Sequence, residues 1–294
     1  MSESKSSATL AYAIRSFMGY LEGTQKAAHT IRSYRSDLAT FSEFLDGAPI
    51  SEIGLQDLER YHEFLKQQGM STNTRRRKVL TVRRLMNYLH KRGKVTIDVS
   101  ARVPAPYKVE RVPQVFSTAS MVERIRALPG DTASAARDRL LLWTLAETGA
   151  QVSEVSRLKF SDFELDAQGA QGWVQISGKA PRRLPISPEL AFEAARQMEL
   201  AGHLRPWAFS GYHRAQPLDT PISDRAVELL ARAYAERLGV PGLTPRAFRH
   251  SVVVLWNQNG LSRPEIRERL GLKTDYAFRA YEPLFKLDAA RHGG

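Results

Sequence analysis

Arg246 and Arg249 stand three residues apart in the stretch Thr244-Pro245-Arg246-Ala247-Phe248-Arg249-His250-Ser251. Thr is a good N-cap and Pro fits the first helical position, so both guanidinium groups are expected in the opening turns of a helix. Unpaired N–H groups and the macrodipole favour an anion there. Further along, Tyr281 carries a hydroxyl that could attack phosphorus, and Lys179 sits in the turn sequence Gly178-Lys179-Ala180-Pro181. If such a hydroxyl attacked a phosphate ester, negative charge would build on the non-bridging oxygens. Fixed cations must hold that charge more tightly in the transition state than in the ground state. Each residue also has a plainer reading: an isolated Tyr is usually a core or surface ring, and a Lys in a glycine-containing turn is usually just exposed. Tyr276 competes with Tyr281 as the hydroxyl, and Trp207 reads as a core residue.

Composition narrows the partner. The 294 residues carry a formal charge of +12 with a pI near 10.0, which favours a polyanion, and nucleic acid above an acidic membrane because no amphipathic lipid anchor is evident. There is no Cys, hence neither a disulfide framework nor a cysteine metal site, and the seven His lack metal-ligand spacing. No Walker-type phosphate loop is present. The most apolar runs, 140–146 and 252–256, are too short to span a bilayer, and the Ser-rich start lacks the apolar segment of a secretory signal. The expected compartment is the cytoplasm, with no membrane partner.

The elements that must position these residues are legible from periodicity. Leu10, Ile14, Phe17 and Leu21 recur at helical spacing, as do Ile31, Tyr34, Leu38, Phe41 and Leu45, and then Leu55, Leu58, Tyr61, Phe64 and Leu65. A fourth helix is expected over 71–91, with Val79, Val82, Leu85, Met86 and Leu89 inward. Its other face carries Arg75, Arg76, Arg77, Lys78, Arg83 and Arg84, and from Ser71 to Lys94 no acid offsets them. An unmixed run repels itself, and a phosphate backbone would relieve that, although phosphate contacts carry no sequence information. Residues 99–116, with Pro104, Pro106, Pro113, Lys108 and Arg111, read as an extended basic linker between domains 1–98 and 117–294. In the larger domain, helices are expected over 135–148, from 153, and over 189–201, 224–238, 245–259 and 264–270. Short strands at 173–176 and 183–186 should flank a hairpin tip. The fold class is mainly α (α+β): a helical N-terminal domain and a larger helical domain with a small β-sheet.

Several motifs in order resemble the tyrosine recombinase, or phage integrase, family, and its Xer-type members most of all. Thr74-Arg75-Arg76-Arg77 through Tyr88-Leu89 is similar to the last helix of that family's N-terminal, SAM-like core-binding domain. Glu147-Thr148-Gly149-Ala150-Gln151-Val152-Ser153-Glu154-Val155 is similar to its first catalytic box, and Ser177-Gly178-Lys179 to its lysine hairpin. The resemblance implies a two-domain clamp on double-stranded DNA, with Tyr281 as nucleophile, Arg249 gripping the scissile phosphate and Lys179 protonating the leaving 5′ oxygen. It implies no metal, nucleotide or organic cofactor, since a phosphotyrosine intermediate conserves the bond energy. Phosphate contacts are expected from Arg75, Arg76, Arg77, Lys78, Arg83, Arg84, Lys108, Arg111, Arg182 and Arg183.

The chain also departs from the family pattern. Gln151 stands where the first box has Arg, Arg246 where the second has His, and Leu272 where the third has His or Trp. Gln lacks a charged fork, Leu offers no hydrogen bond, and Arg cannot exchange a proton near neutrality. The expectation is a DNA-binding protein inactive or badly impaired in strand cleavage. A divergent working recombinase using Arg246 and a regulatory module with nonspecific DNA affinity are the alternatives. Tyr281 is followed by thirteen residues, and Pro283 should disturb a helix running through it. Leu284, Phe285 and Leu287 would supply any docking onto a neighbouring subunit, so either a homo-oligomer or a mixed complex with an active recombinase is left open.

Overall fold

The computed structural model describes residues 9–24, 26–109, 113–200, 206–213 and 216–285. The chain divides into two units, Met1–Arg111 and Val112–Gly294.

In the first unit, Thr9 caps α1 (Leu10–Glu22) and Ser71 caps α4 (Thr72–Lys91), each hydroxyl accepting a first-turn N–H. Between them lie α2 (Ala28–Phe44) and α3 (Leu55–Gln67). The inward residues predicted by spacing meet in one core around Leu10, Phe17, Leu38, Phe41, Leu65, Leu85 and Leu89. The basic face of α4 is not uniformly outward, because an acid reaches it from α2. Asp37, 1% exposed, pairs with Lys78, itself only 5% exposed, and with Arg77.

Residues expected to begin the linker lie along this unit. A 3-10 turn at Val99–Arg102 packs on α4 and α3, and Val103 is in the core. The segment's carbonyls find donors on α4. Arg83 donates to Ser100 O and Val103 O, Arg76 to Pro106 O (2.8 Å), and the Asn73 amide exchanges two hydrogen bonds with Val109. Prolines accept through their carbonyls without needing an N–H partner, which suits a strand laid against arginine donors.

The second unit begins with α5 (Thr118–Arg126) and α6 (Ala133–Thr148), then the single turn α7 (Val152–Val155). A three-stranded antiparallel sheet follows in the order β1 (Phe163–Leu165), β2 (Gly172–Ile176), β3 (Arg182–Ile186). Next come α8 (Pro188–Leu200), a hairpin of β4 (Ser210–His213) and β5 (Gln216–Pro221), and α9 (Asp224–Ala233). Last are α10 (Pro245–Gln258), α11 (Arg263–Arg269) and α12 (Asp275–Phe278). Residues 140–142 and 145–146 are fully buried, so α6 is the central post of the main core. A second cluster joins Val252, Val253 and Trp256 of α10 to Ile266, Leu270, Phe278 and Leu284.

Periodicity did not reveal α5, β1 or the β4–β5 pair, which are short and carry little alternation. The helix expected over 224–238 stops at Ala233 and continues as turns. Trp207, expected in the core, is half-buried with Lys159 over its ring. Pro283 does not break the chain's course: residues 282–285 form a new helical turn after a 3-10 turn at Arg279–Tyr281, and a Pro in a first turn removes no helical bond. Leu284 is buried against its own chain rather than presented outward, while Leu287 lies outside the described residues.

Candidate active site

The site grows from the close approach of α6 and α10. Gly149 ends α6 in the left-handed conformation (φ +57°), and a Cβ there would sit 3.3 Å from the Arg249 Cα. Any larger residue would strain the backbone and push α10 away. At the other end of the contact, Thr244 caps α10 by accepting from Ala247 N, with Pro245 at the first position as expected. Arg249 follows one turn later and is 5% exposed.

Its guanidinium is fixed on all three nitrogens. Nη1 donates to Gly149 O at 2.7 Å, Nη2 to Leu270 O at 2.6 Å and Nε to Tyr281 Oη at 2.7 Å. Arg249 and Tyr281 are thus brought into direct contact. Tyr281 is held edge-on to His250 and stacked on Phe278. Tyr276, the alternative hydroxyl, is 81% exposed.

Arg246 points outward, with its Nε donating to His250 Nε2 at 3.2 Å. His250 had no role in the sequence reading, although its place directly after Arg249 was the available signal. Burial, reinforced by the charges of Arg246 and Arg249, lowers its pKa to about 4. The imidazole is therefore neutral near pH 7, and accepting at Nε2 puts its proton on Nδ1.

Gln151 caps α7, and its backbone N–H donates to the Glu154 carboxylate at 2.8 Å while the residue itself is exposed. Glu154 receives a two-pronged contact from Arg182 (2.8 and 2.9 Å), and Arg182 Nε donates to Arg269 O at 2.6 Å. Burial pushes the Glu154 carboxyl upward, but the Arg182 fork, the Gln151 N–H and the charge of Arg249 together hold it below the usual range. Arg182, expected to touch phosphate, is thus turned inward with its side chain 7% exposed. Gly271 makes room for it, since a Cβ there would lie 2.7 Å from Arg182 Nη1. Lys179 is exposed at the hairpin tip beyond β2, and Leu272 is half-buried beside the second cluster.

The remaining predicted cations are placed as follows. Lys78 is buried against Asp37, and Arg83 is spent on carbonyls of residues 100 and 103. Arg75 donates to Thr72, and Arg84 is exposed over the Tyr34 ring. Arg76 and Arg77 have the partners already given. Lys108 is exposed, and Arg183 is half-exposed, paired with Glu164 and over Trp173. Arg111 lies outside the described residues. Among the described residues no His, Asp or Glu cluster could hold a metal ion, and no helix is long and apolar enough to cross a membrane.

Comparison with known proteins gives a family for both units. Residues 14–93 match the model of the phage integrase N-terminal SAM-like domain, and residues 116–286 match that of the phage integrase family. The chain is 28% identical over 272 residues to the tyrosine recombinase XerC of Herpetosiphon aurantiacus, covering 88% of this chain and 86% of that protein. It is 29% identical over 273 residues to XerC of Roseiflexus castenholzii, covering 88% and 84%. In fold it is similar to a lambda integrase dimer bound to a COC′ core site (TM-score 0.69, 16% identity, 93% of this chain and 77% of that one). It is also similar to the XerH site-specific recombinase bound to difH in a pre-cleavage complex (TM-score 0.65, 18% identity, 85% and 75%).

Proposed function

Because the chain belongs to the phage integrase family of tyrosine recombinases, we propose that it is a sequence-specific binder of double-stranded DNA whose strand cleavage is strongly impaired. One observation carries the impairment: among the described residues Arg249 is the single buried cation in contact with Tyr281, and each of its nitrogens already holds a protein oxygen. Cleavage would require Tyr281 Oη to bond to phosphorus while the P–O5′ bond breaks and the leaving oxygen takes a proton, a role that falls to Lys179. The equatorial oxygens then need a second charged fork. Gln151 supplies a neutral amide, and Leu272 no donor at all. Losing one such donor costs about 10²- to 10³-fold in rate. The basic face of the first unit supplies duplex affinity in this reading. Partner DNA, a homo-oligomer or a mixed complex with an active relative, and a cytoplasmic, nucleoid-associated location all belong to the same proposal.

A second reading, a divergent working recombinase, is favoured by one feature. Arg246 is exposed a turn before Arg249 and oriented by His250, where its charge could stand in for the missing cation. A denaturing-gel assay separates the two. Suicide duplexes selected by binding enrichment are incubated with the native chain and with Tyr281→Phe. Binding without a covalent band is expected; a band that Tyr281→Phe abolishes would overturn the impaired reading in favour of the working enzyme.

A further inference from the structure

Resting on the reading of this chain as a duplex-DNA binder, we infer that Arg77 reads a base edge, a guanine in the major groove, and that Asp37 is the residue that aims it. The basic residues of α4 are not equivalent. Arg77 Nη1 donates to Asp37 Oδ2 at 2.5 Å, and its side chain nevertheless stays 48% exposed, whereas Asp37 is 1% exposed. Asp37 is itself pinned, accepting from Thr81 Oγ1 at 3.1 Å and pairing with Lys78 Nζ at 3.3 Å. A buried, immobile carboxylate therefore holds one end of an outward guanidinium. Its Nε and Nη2 make no hydrogen bond among the described residues.

That arrangement is poor for a phosphate contact and good for a base contact. Phosphate affinity comes from unneutralised charge and the counterions it releases, and it tolerates a mobile side chain. Asp37 offsets part of the Arg77 charge, which lowers its value to the backbone. The same contact fixes the plane and direction of the fork, which is what two parallel hydrogen bonds to guanine O6 and N7 require. Ordering lost in advance does not have to be lost on binding. Arg84, on the same helix, is the contrast: it is exposed over the Tyr34 ring with no acidic partner among the described residues, as suits a phosphate contact.

The test uses the full-length chain, a randomised duplex library with sequencing of the bound fraction, and salt titrations on the enriched duplex. Arg77→Ala and Arg77→Lys are each expected to flatten the preference at one base pair by about tenfold or more. Arg77→Lys keeps the charge, so its salt slope should match that of the native chain. Arg84→Ala should weaken all sequences alike and reduce the slope by about one. Asp37→Asn should behave like Arg77→Ala in preference while raising nonspecific affinity. The inference is overturned if Arg77→Ala weakens every sequence equally with a shallower salt slope, or if neither Arg77 variant changes the preferred site. A native chain that binds duplexes but enriches no sequence also overturns it. A native chain that fails to bind duplexes at all sinks the DNA-binding reading along with it.

Discussion

Two side chains decide what the site can do with charge. In the proposed reading Gln151 stands where a second cation would join Arg249, so Gln151→Arg should raise Tyr281-dependent adduct on a suicide duplex by about 10²-fold. Adduct formation that stays at background in that variant would assign the defect to Leu272 or Arg246 instead. His250 sets a pH dependence whose sign follows from its lowered pKa. The unfolded chain takes up a proton as pH falls through about 6.5, and the folded chain resists until about 4. The group's stability is therefore intact above 6.5, lost progressively between these values, and gone near 4. The amount is about 3 kcal/mol. Urea unfolding at pH 7, 5.5 and 4 should show this decline, and His250→Gln should flatten it. These are also the residues where sequence had least to say. Gln151, Arg246 and Leu272 were visible as departures, but the burial of His250 comes with packing against Tyr281, which lies far along the chain and which no local pattern encodes.

At the scale of elements, the β2–β3 hairpin, the α7 turn and the end of α11 are joined through one ion pair. Arg182 carries the load from Glu154 on one side to Arg269 O on the other. Breaking a buried pair by removing one partner leaves an uncompensated charge and costs about 3–5 kcal/mol. Glu154→Ala should therefore lower the urea midpoint of the second unit strongly. Arg182→Ala should do the same while leaving the salt slope of duplex binding unchanged, since its fork does not face solvent. A slope reduced by about one would restore Arg182 to the phosphate contacts. The helices bearing these residues were readable because their apolar spacing is strong and their caps are conventional; α10 starts at Thr244 and Pro245 as its residues dictate. Elements without such a signature escaped, as β1 and the β4–β5 pair did, because pairing with the neighbouring strand and packing beneath it stabilise them rather than any alternation of their own. For the basic run, position was legible in the residues but direction was not. Asp37 lies on another helix, and only packing reveals that Lys78 and Arg83 turn inward.

For the whole molecule, the family pattern was recoverable from motif order, and the departures from that pattern shape the proposed function more than the matches do. Net charge of +12 gives the chain a long-range attraction for polyanions, yet part of the nominal basic surface is consumed in internal pairing. The number of cations in the sequence therefore overstates the number able to displace counterions. Fitted salt slopes should fall short of a count of ten phosphate-facing residues, the number first expected. The segment of residues 99–109 has a separate consequence for dissection of the protein. Held by Arg83, Arg76 and Asn73 and contributing Val103 to the core, it belongs to the first unit's folded body. A recombinant fragment trimmed at residue 98 would lose that apolar plug and leave three α4 side chains without their acceptors, so it should melt lower and aggregate more readily than one ending at residue 111. The shorter boundary is the one that apolar periodicity recommends, and it cuts through the unit it was meant to isolate.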